Sequence, residues 1–123
     1  MLGIDIVKNV RIAKAIEKFG YHFLRRIYTD YEISLCKMNI ECFAGRFAAK
    51  EASIKAFSML LNKKFSFRDF EIIKSKSGVP ELKLNNTYIN DLLKAKKLKP
   101  FISISHEKEF SIAICHITKE EII

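Results

Sequence analysis

Glycine and proline are scarce, 4 and 2 residues in 123, which excludes fibrous and low-complexity classes. No apolar run approaches the ~18 residues that a membrane-spanning helix needs, so no membrane partner is expected. The opening Met1-Leu2-Gly3-Ile4-Asp5 puts a carboxylate where a signal peptide has a basic flank and an apolar stretch, so an export signal is not expected. Cysteine is rare and odd in number: Cys36, Cys42 and Cys115 form no C-x-x-C pair. A disulfide framework is therefore not expected, and a reducing cytoplasm is the expected location. A zinc cluster is not expected either, because His22, His106 and His116 lie far from any two closely spaced cysteines.

What is present reads as one globular domain over residues 1–123. Hydrophobic residues make up 49% and charged residues 29%, near the globular average and incompatible with a disordered chain. The 22 Lys and Arg against 14 Asp and Glu leave a net charge of +8. Nucleic acid, an anionic cofactor or an acidic protein would each match that excess, as would a lysine-rich surface that meets only water.

The pattern along the chain alternates element types. Leu2, Ile4 and Ile6 alternate with Gly3, Asp5 and Val7, a strand signal. Asn9 is placed to cap a helix carrying Val10, Ala13, Ile16 and Phe19, which Gly20 stops. A short helix follows over Tyr21–Tyr28, and Thr29-Asp30-Tyr31-Glu32 has the form of a capping box for another. The longest helix is predicted over Glu41–Leu61. Phe70–Lys74 and Glu81–Leu84 read as a hairpin around Ser77-Gly78-Val79-Pro80. Asn86–Leu98 reads as a helix with Tyr88, Leu92 and Leu93 on one side, and strands over Phe101–Ser105 and Phe110–Ile117 end the chain. The class is α+β, with helices mainly before strands.

The long helix carries the most chemistry. Ala and Phe occur around its whole circumference, which marks it as buried. Its charges Arg46, Lys50, Glu51 and Lys55 must therefore find partners. At 100° per residue Lys55 lies near Glu51, whereas Arg46 and Lys50 point more than 90° away. Glu51 and Lys55 make either a simple i,i+4 pair or part of a site. Asp5, inside an apolar strand, faces either solvent at an edge or a cation. If that strand packs beside the helix, Asp5 and Glu51 supply two oxygens to one Mg²⁺, a sufficient protein share for an ion that also takes water and phosphates. In Phe101-Ile102-Ser103-Ile104-Ser105-His106, Ser105 and His106 point to opposite faces and form no catalytic dyad. They are a polar strand end or a phosphate contact.

Three segments coincide with one family. Gly3-Ile4-Asp5-Ile6-Val7, the block from Phe43 to Ala56 (Phe43-Ala44-Gly45-Arg46-Phe47-Ala48-Ala49-Lys50-Glu51-Ala52-x-x-Lys55-Ala56) and Ser103-Ile104-Ser105-His106 resemble the signature blocks of holo-[acyl-carrier-protein] synthases. These are the short bacterial type of 4′-phosphopantetheinyl transferase. Arg11, the stretch Phe23–Glu32 and the stretch Phe65–Ile72 also look like family positions, so the resemblance spans nearly the whole chain. One departure is clear: where the family usually has a glycine-rich turn, this chain has Ser58-Met59-Leu60-Leu61-Asn62-Lys63-Lys64. The long helix is then expected to run further, with Lys63 and Lys64 placed to replace lost phosphate contact.

The resemblance implies a 4′-phosphopantetheinyl transferase-like fold, a long central helix packed on a small, mostly antiparallel sheet. It implies Mg²⁺-dependent transfer of 4′-phosphopantetheine from coenzyme A to a serine of apo-acyl carrier protein, releasing adenosine 3′,5′-bisphosphate. By similarity, Asp5 and Glu51 hold Mg²⁺, Glu51 takes the serine proton either directly or through a metal-bound water, and Lys55 stabilises the departing phosphate. Arg46, Lys50, Lys55, Ser105 and His106 are expected to bind the nucleotide and its phosphates. Arg11, Lys14, Lys18, Arg25 and Arg26 are expected to meet the acidic carrier, and a homotrimer with the active site at the subunit interface is implied. Two alternatives remain at this stage: a small basic nucleic-acid-binding domain, against which no RNP-like, zinc or helix-turn-helix signature is present, and a module that binds the carrier without modifying it.

Overall fold

The computed structural model describes residues 1–120. The order is β1 (Leu2–Lys8), α1 (Asn9–Phe19), α2 (Tyr21–Ile27), α3 (Asp30–Cys36), α4 (Ile40–Leu60), a 3₁₀ turn (Phe67–Asp69), β2 (Phe70–Lys74), β3 (Pro80–Leu84), α5 (Thr87–Lys96), β4 (Leu98–His106) and β5 (Phe110–Lys119). The strands form a three-stranded sheet, β1-β5-β4, and a separate β2-β3 hairpin, every pairing antiparallel. α4 lies between the two, and Phe43, Ala44, Ala48, Ala49, Ala52, Ala56 and Phe57 are buried along its length. A helix without a polar face is buried along most of its length, as its composition requires, with Glu41, Lys55, Ser58 and Met59 left exposed. The expected α+β architecture with a long central helix is the observed one.

Small residues set how closely β1 and α4 approach. A Cβ on Gly3 would overlap the Ala52 carbonyl oxygen and come within 2.9 Å of the Ala56 nitrogen. Gly3→Ala is therefore expected to cost about 1–3 kcal/mol, as overpacking of a rigid core does. A melting curve checks it, with a fall of about 5–10 °C expected.

The face of β1 that is buried is the one carrying Gly3, Asp5 and Val7. Leu2, Ile4 and Ile6 point outward and are more than half exposed, beside Ile112 and Ile114 of β5 and Phe101 of β4. The outer face of the three-stranded sheet is thus an apolar surface.

Local signals were partly as read. The Thr29 capping box is present, with Thr29 N–H donating to Glu32 Oε1 (2.8 Å) and Glu32 N–H to Thr29 Oγ1 (3.3 Å). Asn9 is a correction: Lys8 is the N-cap of α1 and has no capping side chain. The Asn9 amide instead donates to the Glu107 and Lys108 carbonyls, and its oxygen accepts from Ser111 Oγ (2.7 Å), tying the β4–β5 turn to α1. Tyr88 is a second correction. It faces out, and Ile89 and Leu93 form the buried side of α5. The cysteine reading also changes. Cys36 and Cys42 are bridged, joining the end of α3 to the first turn of α4, while Cys115 is free and buried. Between them Lys37 and Met38 both hold left-handed backbone (φ 49° and 62°).

Candidate active site

The acidic end of the site comes from two elements. Asp5 shares the inward face of β1 with Gly3 and Val7 and is partly buried. α4 contributes Glu51 and, one turn on, Lys55. Lys55 Nζ donates to Asp5 Oδ1 (3.1 Å) and to the Ile4 carbonyl (2.9 Å), so it bridges to the strand instead of pairing back with Glu51. The Glu51 carboxyl is raised from its usual range, first by burial and then by the negative charge of Asp5, with Lys55 opposing. Glu51 thus feels the charge of Asp5 across the β1–α4 contact. Among the described residues no cluster of three or more His, Cys, Asp or Glu side chains forms a fuller ligand set.

A groove of about 490 Å³ opens on another side of α4. Arg46, Lys74, Pro80, Ile104, His106 and Glu41 are among its lining residues. It is narrow at Gly45, where an added Cβ would stand 3.1 Å from Ile104 Cγ2. Arg46 Nε donates to the Ile72 carbonyl (3.2 Å), and Nη1 to Cys42 Sγ (3.3 Å). Burial lowers the Arg46 pKa and Glu32 pulls it back up, but a guanidinium keeps its charge at any ordinary pH. His106 ends β4 with Nδ1 3.2 Å from Glu41 Oε2. Three cationic or titratable nitrogens and an apolar wall suit an aromatic, phosphorylated ligand.

Two expected ligand contacts sit elsewhere. Lys50 is fully buried, with Nζ 2.6 Å from Glu32 Oε1 and donating to the Phe67 and Phe70 carbonyls (3.2 and 2.6 Å). Burial pushes its ammonium pKa down and Glu32 pulls it back up. Glu32 Oε2 also accepts the Ile72 N–H (2.8 Å), so the capping glutamate and Lys50 clamp α3, α4 and β2 together. The Lys50 ammonium is thus fully engaged inside the protein. Ser105 pairs with Ile112 on the outer, exposed sheet face, away from its own chain's groove. Lys63 lies over the Tyr88 ring, 4.8 Å from its centroid, and α4 does run on to Leu60 where glycines are absent.

Arg11, Lys14, Lys18, Arg25 and Arg26 are all exposed along α1 and α2. Sequence reasoning did not reach Glu41, Lys74 or Pro80. The hairpin turn was legible only as a turn, and a carboxylate in the first turn of a helix reads first as a dipole partner.

Comparison gives the class: the chain belongs to the 4′-phosphopantetheinyl transferase superfamily, whose family model matches residues 1–115. A holo-[acyl-carrier-protein] synthase from Hydrogenobaculum sp. is 75% identical over 121 residues, covering 98% of each chain. The crystal structure of Helicobacter pylori holo-[acyl-carrier-protein] synthase in complex with coenzyme A is similar at a TM-score of 0.82 and 36% identity, over 96% of this chain and all of that one. A Bacillus anthracis synthase in complex with coenzyme A (3′,5′-ADP) is similar at 0.76 and 34%, covering 97% and 96% of the two chains. Within the superfamily this branch is that of the holo-[acyl-carrier-protein] synthases, enzymes that transfer 4′-phosphopantetheine from coenzyme A to an apo-acyl carrier protein.

Proposed function

We propose that this chain performs that transfer with Asp5, Glu51 and Lys55 at the pyrophosphate and with the groove of Arg46 and His106 on the adenosine bisphosphate. The observation that carries the reading is the Asp5–Glu51–Lys55 cluster formed where β1 crosses α4. The donor set fits Mg²⁺: two carboxylates come from separate elements, burial and the charge of Asp5 raise the cost of ionising Glu51, and a hard divalent cation taking oxygen ligands removes that cost. When bound, Mg²⁺ neutralises pyrophosphate charge. Everything else is done by the chain. Lys55 offers an ammonium, half exposed at the rim, to the departing phosphate. Glu51, at the same place, accepts the serine proton. The serine oxygen forms a bond to the phosphorus nearest pantetheine, the P–O bond of the pyrophosphate bridge breaks, and adenosine 3′,5′-bisphosphate leaves. Positioning and charge neutralisation supply most of the rate. Incubation with coenzyme A, Mg²⁺ and an apo carrier tests the reading: the carrier gains one phosphopantetheine mass, and an unchanged carrier overturns it.

Arg46 lies about 140° around α4 from Glu51, so one copy turns its groove and its acidic pair to different sides. A homotrimer resolves this by setting the groove of one copy against the acidic pair of the next. The apolar outer sheet face of Leu2, Ile4, Ile6, Ile112 and Ile114 supports such an assembly, because a monomer rarely leaves so continuous an apolar patch in water. Ser105 on that same face would then meet a neighbour's ligand. Sedimentation equilibrium is expected to give three times the 14.3 kDa chain mass, and a monomer at micromolar concentration would contradict the assembly.

The exposed cations of α1 and α2 are the proposed landing place for the acidic carrier, with the enzyme acting in the cytoplasm. Charge pairs at an exposed rim act chiefly on encounter and weaken with salt. Arg11→Glu is expected to raise the KM for the carrier about tenfold or more while leaving that for coenzyme A within about twofold. Steady-state kinetics with each substrate varied in turn decides it.

A further inference from the structure

The disulfide on the groove wall is used by neither the fold signals nor the transfer. Cys36 and Cys42 both line the groove, and Cys42 Sγ accepts from Arg46 Nη1 at 3.3 Å. We propose that this pair is a thiol–disulfide switch, the bridged protein binding the adenosine bisphosphate end of coenzyme A more tightly than the dithiol protein. The proposal rests on the reading of the groove as the nucleotide site.

Three features of the structure carry it. The Cα atoms of the two cysteines are 5.4 Å apart, within the range a bridge spans without backbone movement. The segment they close holds two successive non-glycine residues, Lys37 and Met38, in left-handed backbone, which costs energy unless the surroundings fix it. Opening the bridge releases that segment at the lip of the groove. Arg46 is the third. A disulfide sulfur is neutral and accepts weakly, leaving the guanidinium charge available to a phosphate. As a thiol, Cys42 would sit in the first turn of a 21-residue helix and one turn before a guanidinium, both of which favour the thiolate. The thiolate would then hold Arg46 as an ion pair, in competition with the ligand.

The chemistry balances with a low-molecular-weight disulfide as oxidant. Cys42 loses its proton and its thiolate attacks one oxidant sulfur, forming a mixed disulfide and expelling one small thiolate. Cys36, deprotonated in turn, attacks Cys42 Sγ, closing the bridge and expelling the second. The two released thiolates take up the two protons, so the oxidant is reduced by the two electrons the cysteines lose. Cys115 does not compete, being buried with its thiol pushed up to about 11.

The test uses the whole protein in two preparations, one reduced with dithiothreitol and one exposed to oxidised glutathione. Alkylation after denaturation counts thiols by mass, with three adducts expected for the reduced form and one for the bridged form. Calorimetric titration with adenosine 3′,5′-bisphosphate is expected to give about tenfold tighter binding to the bridged form, as the loss of one charge-assisted phosphate contact predicts. Cys36→Ser, which cannot close the bridge, is expected to show the weaker affinity in dithiothreitol and no gain after oxidised glutathione, where Cys42 carries one glutathione whose carboxylates oppose a phosphate ligand. Equal affinity in the two preparations overturns the switch and leaves the groove assignment standing. Binding in neither removes the groove assignment and the switch with it, and three adducts after oxidised glutathione show that no bridge forms and overturn the switch alone.

Discussion

Asp5→Ala and Glu51→Ala are each expected to lower kcat/KM for transfer by about a thousandfold or more, with the fold retained. Preorganised groups aimed at developing charge are individually worth about 10²–10³ in rate, and here each substitution also removes half of the proposed ion's protein ligands. Both side chains are incompletely buried, so truncation leaves no large cavity. A separate readout follows from binding alone. Added Mg²⁺ is expected to raise the melting temperature of the wild-type chain, since a ligand of the native state stabilises it, and to leave that of either variant unmoved. Full activity in one variant, or an equal Mg²⁺ response in all three proteins, would remove the metal assignment.

Lys50→Ala is expected to do the opposite, damaging stability and sparing affinity. It leaves Glu32, wholly buried, without its cation. Breaking a buried pair from one side costs about 3–5 kcal/mol, which for a chain of this size lowers the melting temperature by about 10–20 °C. The companion variant Glu32→Gln with Lys50→Met removes both charges and is expected to recover much of the loss. Where folded protein remains, the KM for coenzyme A is expected to stay within about twofold of wild type. A large rise in that KM without loss of stability would restore Lys50 as a phosphate ligand.

These two experiments mark how far the sequence could be read. Capping boxes, the strand alternation and the span of α4 depend on neighbours in the chain, and each was legible to within a residue or two. Which face of β1 is buried was not. Alternation gives a period without a side, and here the side with fewer apolar atoms went inward, because only Gly3 lets the strand lie on Ala52. Lys50 looked like a ligand because it stands beside Glu51 in a family block. Its true partner was hidden in a capping glutamate whose second role depends on tertiary packing. The Cys36–Cys42 bridge follows from the tight turn between α3 and α4, and no spacing rule announces it. That Ser105 stands on the outer sheet face follows from the sheet register, which the sequence does not display.

The pairing of β1 has a consequence for folding. Asp5 is held by partners remote in sequence on two sides, Lys55 of α4 through its side chain and Ala113 of β5 through the ladder. Contacts so distant along the chain make loop closure the slow part of folding, so this corner of the molecule is expected to form after the local helices have formed.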